Sequence, residues 1–257
     1  MILLNYTELG QGRPIIILHG LFGSARNWQG IARSLGEKYH VITPDLRNHG
    51  QSPHADTMSY QDMANDVIAI TDKLKLNDII IIGHSMGGKV AMTAALSDPE
   101  RFTALAVIDI APVNYVHDFD VLISAMYSLK LESIKNRAQA EEILNKVIDD
   151  KGVIQLLLQN LVRSEVGFKW RINLQGILAN LKLIGQFPDS LKNNTCRLPT
   201  LFLGGSESDY LRSIHNSTIY EHFPAAEITM INGAGHWPHA EKPAEFLKHI
   251  KSFINFV

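Results

Sequence analysis

The segment IIIIGHSMGGKVAM, residues 79–92, constrains the fold more than any other part of the chain. Its apolar run, its Gly-x-Ser-x-Gly pattern and the helical pattern that follows predict a buried strand that turns sharply into a helix. Ser85 lies at this turn, where the backbone is strained, while Gly83 and Gly87 remove side chains that would collide across it. The pattern therefore predicts a serine hydroxyl raised above a sheet edge, beside the N–H groups that begin the helix.

Other β-rich runs along the chain are mostly unbroken stretches of apolar residues, which is typical of strands covered by helices on both faces. Helical patterns separate them at Trp28–Leu35, at Tyr60–Leu74, after Met86 and at Pro243–Phe253. This alternation predicts an α/β fold with a mostly parallel sheet flanked by helices. The predicted strands are LLNY near residue 4, IIIL at 15–18, VITP at 41–44, IIII at 79–82, ALAVIDI at 104–110, TLFLG at 200–204 and EITMI at 227–231.

The alternation stops between Pro112 and about Thr195, where we find helical patterns and no clear core strand. A structureless loop of that length is improbable inside a compact domain. We therefore expect a helical lid inserted after the sixth strand, with residues 1–111 and 196–257 forming the core and residues 112–195 the cap. Apolar residues of the cap at helical spacing should pack together, and some should form the roof of a pocket.

Composition narrows the classes of partner. The 257 residues carry a formal net charge of -2, which provides no global field to attract nucleic acid or anionic lipid. One cysteine, Cys196, excludes an intramolecular disulfide and fits a reducing compartment. The N-terminal segment does not resemble a signal peptide, and no run approaches the roughly 20 apolar residues of a membrane span. We expect a cytoplasmic monomer or homodimer that binds a small molecule.

A serine nucleophile needs a general base, and His236 is our candidate among the 11 histidines. It lies in the glycine-rich segment NGAGHWPHAEKP, directly after the last predicted strand, where a side chain can reach over the strand ends. His239 is the nearest rival, but the start of the next helix should give it a structural role. His84 lies inside the sharp turn and should pack or form hydrogen bonds beneath it.

The acidic partner has two candidates. Asp109 ends the apolar strand ALAVIDI, where an unpaired buried carboxylate would cost several kcal/mol, so it should have a partner. Asp209 follows the later strand in LFLGGSESDYL, where a solvated turn residue is the alternative interpretation. We favour Asp109, and Asp209 stays open as the alternative.

Two backbone N–H groups are expected to stabilise the oxyanion. One belongs to Met86, directly after the serine. The second should come from the turn HGLFG, where Leu21 is our choice and Phe22 the alternative. In the segment DLRNHGQS, we interpret Asp45 and Arg47 as an ion pair that holds the loop beneath the site.

These residues resemble the α/β-hydrolase superfamily, through HGLFGS, DLRNHGQS, GHSMGGK and GAGHWPHAEKP. The motifs VIDIAPVNY, KWRINL and GGSESDY are similar to those of YbfF-type acyl esterases and the related mitochondrial abhydrolase-11 proteins. That resemblance implies Asp109 as the acid and Ser208 as an auxiliary member of a tetrad around His236. Glu207 and Asp209 place a negative charge on each side of Ser208, which the family pattern does not predict at both positions. We derive no role for Trp170, Arg171 and Asn173 in KWRINL.

The resulting hypothesis is a serine esterase that hydrolyses carboxylic esters or acyl thioesters, including acyl-CoA, through an acyl-enzyme on Ser85. The resemblance implies no organic cofactor and no metal, and the chain has neither a dinucleotide fingerprint nor a P-loop. One alternative is a carbon-carbon bond hydrolase or a lyase, which the same fold can support with the same Ser85 and His236. The other is a binding protein without catalytic activity.

Overall fold

The computed structural model describes residues 1–116, 119–165 and 167–257. A seven-stranded sheet in the order β1-β3-β2-β4-β5-β8-β9 forms its centre. Only β1 runs antiparallel to its neighbour β3, so the predicted mostly parallel sheet is confirmed. These strands are β1 (Tyr6–Leu9), β2 (Pro14–Leu18), β3 (His40–Pro44), β4 (Ile79–His84), β5 (Phe102–Ile108), β8 (Thr200–Gly205) and β9 (Ala226–Ile231).

Helices cover both faces of this sheet because its strands present apolar side chains on both sides. In β4, Ile79 and Ile81 belong to one hydrophobic layer, whereas Ile80 and Ile82 belong to the other. The helices of the core are α1 (Gln29–Gly36), α2 (Tyr60–Lys73), α3 (Met86–Ser97), α8 (Asn216–His222), α9 (Pro238–Glu241) and α10 (Pro243–Phe256). Side chains of α2 and α3 join the first layer, and those of α1 and α10 join the second.

Residues 112–195 form what we call the cap segment, and its described residues include four α-helices and a two-stranded hairpin. They are α4 (Phe119–Ser128), α5 (Arg137–Leu144), α6 (Lys151–Leu158), α7 (Leu174–Gly185), β6 (Leu161–Ser164) and β7 (Gly167–Trp170). Short 3-10 helices lie at Ala25–Trp28, Pro99–Arg101, Leu131–Ser133, Asp189–Leu191 and Ser213–His215.

Two expectations about the cap segment need correction. The cap segment follows the fifth strand and not the sixth. Before the parallel strands β2 to β5 the chain has one short antiparallel strand, β1. The segment is also not purely helical, because β6 pairs with β7 from Leu161 opposite Trp170 to Ser164 opposite Gly167. Strands of four residues are too short for alternation to distinguish them from a helical period.

Among the described helices, none has the length and apolar character needed to cross a bilayer.

Candidate active site

Ser85 occupies the sharp turn between β4 and α3. Its φ is 52° and its ψ is -119°, a conformation that L-residues rarely adopt, and the residue is 8% exposed. The start of α3 lies too close to β4 and to the neighbouring strand β2 for side chains at the flanking glycines. A Cβ on Gly83 would lie 2.8 Å from Gly88 Cα, and one on Gly87 would lie 2.6 Å from Leu18 O. The predicted Gly-x-Ser-x-Gly turn therefore has a steric basis in this chain.

His236 bridges Ser85 and Asp109. Its Nε2 lies 3.1 Å from Ser85 Oγ, and its Nδ1 lies 2.7 Å from Asp109 Oδ2. The three residues follow β4, β5 and β9, whose carboxyl ends meet at one edge of the sheet. An Nδ1–H donated to the carboxylate leaves Nε2 free to accept the serine proton. This is the arrangement that activates a hydroxyl as a nucleophile.

The carboxylate of Asp109 is fully buried and has a partner on each oxygen. Oδ1 accepts a hydrogen bond of 2.9 Å from Gly205 N. Oδ2 accepts from both His236 Nδ1 and the hydroxyl of Ser208. These donors offset the cost of burying the charge. The hydroxyl of Ser208 is thus bonded to the same carboxylate oxygen that accepts from His236.

Asp209 has a different environment. Its side chain is 93% exposed and lies 3.6 Å from Arg212 Nη1, an ion pair at the protein surface. The ring nitrogen of His236 that faces a carboxylate is bonded to Asp109. The structure therefore brings Asp109 to the histidine and leaves Asp209 at the surface.

Two tyrosines that the sequence analysis did not single out support the acid and the histidine. The ring of Tyr210 stacks on His236 with centroids 4.0 Å apart. The hydroxyl of Tyr115 donates to Tyr210 O at 2.5 Å and accepts from Ala111 N at 2.9 Å. Tyr115 thereby joins the loop after β5 to the loop after β8. Burial raises the pKa of both tyrosines, so both stay neutral.

The two rival histidines have other contacts. His84 Nε2 donates to the backbone carbonyl of His236 at 2.7 Å and so holds the loop that carries this residue. His239 stacks on Trp28 with centroids 4.1 Å apart. Burial lowers the pKa of His84 well below the usual value and that of His239 to about 3, so both rings are neutral.

The HGLFG motif forms a turn of residues 20–23, which we call the oxyanion turn, closed by a hydrogen bond of 3.0 Å between its end residues. The N–H of Phe22 donates to His49 Nε2 at 3.1 Å and is therefore occupied. The N–H of Leu21 forms no hydrogen bond with another described residue. The N–H of Met86 begins α3, where no carbonyl of the helix can accept it. Leu21 and Met86 thus offer two N–H groups near Ser85.

Buried neutral histidines hold this turn. His19 Nδ1 donates to Gly20 O at 2.8 Å, while its Nε2 accepts from Leu46 N at 2.9 Å. His49 Nδ1 donates to Arg47 O at 2.9 Å. Burial lowers the pKa of both rings, that of His49 to about 3. Each ring therefore remains neutral, with one nitrogen as donor and the other as acceptor.

The predicted ion pair between Asp45 and Arg47 is wrong. Arg47 Nε lies 2.7 Å from Asp66 Oδ2, a residue of α2, and both side chains are buried. The two oxygens of Asp45 accept from Ala25 N at 2.8 Å and Gln51 N at 2.9 Å. The Asp45 carboxylate is therefore held by backbone N–H groups. The Arg47 guanidinium instead reaches α2, which lies outside the segment DLRNHGQS.

A cavity of about 650 Å³ opens over Ser85 and His236. The core and the cap segment both line it, and its apolar wall includes Leu21, Phe22, Phe119, Leu122, Leu156 and Trp237. Its charged lining residues are Asp150, Glu207, Asp209 and Glu241, and no lysine or arginine lines it among the described residues. A second cavity of about 260 Å³ adjoins it beside Trp28 and His239. In the described parts of the chain, no cluster of three or more potential metal ligands occurs.

This sheet, turn and trio of side chains define the α/β-hydrolase class of proteins, and the comparisons agree with it. The family model described as "alpha/beta hydrolase fold" matches residues 13–131. With relatives above 40% identity over nearly its whole length, the chain belongs to the α/β-hydrolase family, as the sequence analysis predicted.

Particular relatives narrow the resemblance. The sn-1-specific diacylglycerol lipase ABHD11 of Danio rerio is 42% identical over 95% of this chain and 79% of its own length. Esterase YbfF of Escherichia coli is 36% identical over 94% of this chain and 93% of its own length. A solved structure described as a marine microorganism esterase is 38% identical, with a TM-score of 0.95 over 98% of this chain and 100% of that one. The predicted resemblance to YbfF-type and abhydrolase-11 proteins is confirmed.

Proposed function

We propose that this chain is a serine esterase in which Ser85 is the nucleophile, His236 the general base and Asp109 the acid that orients the histidine. The observation that carries the proposal is the continuous chain of hydrogen bonds from Ser85 Oγ through His236 to a buried carboxylate, at the floor of a cavity. The names of the relatives, which are esterases and a lipase, support esters as the substrate class.

In the first half of the reaction, Ser85 Oγ attacks the ester carbonyl as its proton passes to His236 Nε2. The imidazolium that forms is stabilised by Asp109, which also holds the ring in the tautomer that leaves Nε2 unprotonated. Ser208 donates to the same carboxylate oxygen and keeps it in place. His236 then gives its proton to the leaving alcohol as the C–O bond breaks.

The negative charge that develops on the carbonyl oxygen needs donors already in place. We assign this role to the N–H groups of Leu21 and Met86, since that of Phe22 is bonded to His49. A water then attacks the acyl carbon as His236 Nε2 takes one of its protons. When the bond from the acyl carbon to Ser85 Oγ breaks, His236 gives that proton to Ser85 Oγ, which releases the carboxylic acid and restores the starting state.

The cavity favours an apolar acyl group and a substrate without negative charge. We treat residues 1–111 and 196–257 as the core and residues 112–195 as a cap over the site, because α4 and α6 line the cavity. Four acidic residues line the cavity, and no described lysine or arginine lines it. The phosphates of an acyl-CoA would approach these carboxylates at short range, at a cost in binding. We therefore propose carboxylic esters, with uncharged thioesters as a further substrate, in preference to acyl-CoA.

Labelling and turnover together test the esterase assignment. A fluorophosphonate should label the protein, and p-nitrophenyl butyrate should be hydrolysed. Ser85→Ala should abolish labelling and reduce turnover by about 10³-fold or more, since the nucleophile acts with His236 as a unit. Labelling that persists in Ser85→Ala would contradict the assignment. Cleavage of a vinylogous diketone without ester hydrolysis would favour the carbon-carbon hydrolase instead.

A matched pair of thioesters tests the preference against charge. Butyryl-CoA and S-butyryl-N-acetylcysteamine share the acyl group and the thioester. The CoA thioester carries in addition the rest of the pantetheine arm, the adenosine and the phosphates, and the salt dependence of the ratio isolates the effect of the phosphate charge. We expect kcat/KM for the N-acetylcysteamine thioester to be about tenfold higher or more at low salt, with the ratio declining as salt is added. Equal values, or a higher value for the CoA thioester, would show that the carboxylates do not select against anionic substrates.

A further inference from the structure

Three side chains hold the oxyanion turn, each on a different peptide group. His19 Nδ1 donates to the carbonyl of the peptide between Gly20 and Leu21 at 2.8 Å. His49 Nε2 accepts the N–H of the next peptide, that of Phe22. Asn160 Nδ2 donates to the carbonyl of the third, Phe22 O, at 2.7 Å. The first two side chains belong to the core, whereas Asn160 belongs to the cap segment.

The turn needs these contacts because its third residue is strained. Phe22 has a φ of 62°, in the left-handed region that residues with a Cβ seldom occupy. Rotation of either peptide beside Phe22 would relieve the strain and move the backbone next to it. Leu21, to whose N–H we assign a place in the oxyanion hole, is the preceding residue. Hydrogen bonds on both sides of Phe22 therefore preserve the direction of the N–H that we assign to the oxyanion hole.

Asn160 is itself held firmly. It is 4% exposed and lies between α6 and β6. Its backbone N–H donates to Leu157 O at 3.0 Å, and its carbonyl accepts from Arg171 N at 2.8 Å, across the base of the hairpin. Its side-chain nitrogen also lies 3.3 Å from Leu156 O. The hairpin thus fixes the residue whose amide reaches the turn, which supplies a role for the backbone of Arg171.

We propose that Asn160 is a positioning residue for the oxyanion hole, so that the cap segment contributes to the reaction and does not only enclose the substrate. The inference rests on the proposed esterase function and adds a component to it. The side-chain nitrogen of Asn160 bonds to the carbonyls of Phe22 and Leu156, so the residue acts on the site through the backbone of Phe22.

The neighbouring residue provides a matched control. Gln159 Oε1 accepts a hydrogen bond of 2.8 Å from Asn27 Nδ2, so it also joins the cap segment to the core. Asn27, however, lies in the 3-10 helix after the turn and not in the turn itself. Loss of the Gln159 bond weakens the attachment of the cap, whereas loss of the Asn160 bond also frees Phe22 O.

The test compares Asn160→Leu and Asn160→Asp with Gln159→Leu in hydrolysis of p-nitrophenyl butyrate. Both Asn160 variants should lower kcat by about tenfold, less than the loss of a whole oxyanion donor, with KM within about twofold of wild type. The affinity for a trifluoromethyl ketone, whose adduct places an oxyanion in the same site, should fall by the same factor. Gln159→Leu should leave all three quantities within about twofold.

Several results would overturn the proposal. One is an unchanged kcat and ketone affinity in folded Asn160 variants, and another is a rise in KM alone in those variants. A third is a fall in kcat in Gln159→Leu as large as in the Asn160 variants, which would assign the effect to the attachment of the cap segment. Thermal unfolding monitors folding, and Asn160→Asp preserves the size of the side chain if Asn160→Leu does not fold. The rate of fluorophosphonate labelling supplies a readout without turnover. Wild-type protein that neither labels nor hydrolyses the ester would instead remove the esterase function on which the proposal rests.

Discussion

The two sides of the site are built differently. On the oxyanion side, buried neutral groups hold the backbone, and the rings of His19 and His49 each donate once and accept once. On the acid-base side, one buried carboxylate accepts three hydrogen bonds, and the side chain of His236 is 17% exposed. In the proposed mechanism, the first side holds N–H groups still, while the second moves a proton and admits water.

This difference follows from what each side has to stabilise. On the acid-base side, His236 becomes positively charged when it takes the serine proton. A carboxylate is needed beside the ring to stabilise that charge. A charged ring on the oxyanion side would lose its acceptor nitrogen and release the N–H of Phe22 or Leu46. Neutrality on one side and charge on the other are therefore requirements of the proposed chemistry.

The largest effect is expected on the acid-base side. Asp109→Asn preserves the size of the side chain but removes the charge that stabilises the imidazolium and selects the tautomer. We expect kcat for p-nitrophenyl butyrate to fall by about 10⁴-fold with a much smaller change in KM, measured by steady-state kinetics.

Two matched variants test whether this loss is specific to Asp109. Asp209→Asn alters the exposed alternative and should retain wild-type activity. Ser208→Ala removes one of the three donors to Asp109 and should cost about tenfold, because Gly205 N and His236 Nδ1 remain bonded to that carboxylate. A loss in Asp209→Asn as large as that in Asp109→Asn would reverse the assignment of the acid.

A smaller effect is expected on the oxyanion side and concerns stability. Burial lowers the pKa of His49 to about 3, below the usual value near 6.5 for an unfolded chain. Between these two values the unfolded chain binds the extra proton, so the free energy of unfolding falls as the pH falls from about 6.5 to about 3. His49→Gln should reduce this slope by up to about 1.4 kcal/mol per pH unit, measured by urea unfolding at several pH values.

An exposed histidine provides the comparison for this slope. His54→Gln, at the surface, should change the slope much less than His49→Gln, because the charge of His54 is the smallest of the causes that lower the pKa of His49 and burial is the largest. A slope in His49→Gln as steep as in wild type would mean that His49 does not carry the acid sensitivity, and that the oxyanion side is not held by a ring that has to remain neutral.

Local patterns were sufficient for the parts of the site that lie at strand ends. The run of isoleucines before Gly83 predicted a strand, the glycines predicted the turn, and Asp109 at the end of an apolar run predicted a buried carboxylate. Each inference needed only neighbouring residues. The parallel sheet then brings such ends together at one edge, which is why Ser85, Asp109 and His236 meet.

Contacts between distant segments were not accessible in this way. The pairing of Arg47 with Asp66, the bond from Tyr115 to Tyr210 and the bond from Asn160 to Phe22 each join separate elements. The residues around Asn160, which lies between two short apolar runs, do not indicate which residue its side chain contacts. The hairpin beside it was also missed, since its strands have only four residues each.

From its sequence alone, this protein was determined to have an α/β fold with a serine at a strained strand-to-helix turn, because hydrophobic period and glycine placement act over a few residues. Which carboxylate faces His236, which N–H groups stay unpaired and which cap residue supports the oxyanion turn were decided only by the tertiary structure. Such choices depend on the distances between side chains many residues apart, and those distances exist only after the layers have packed.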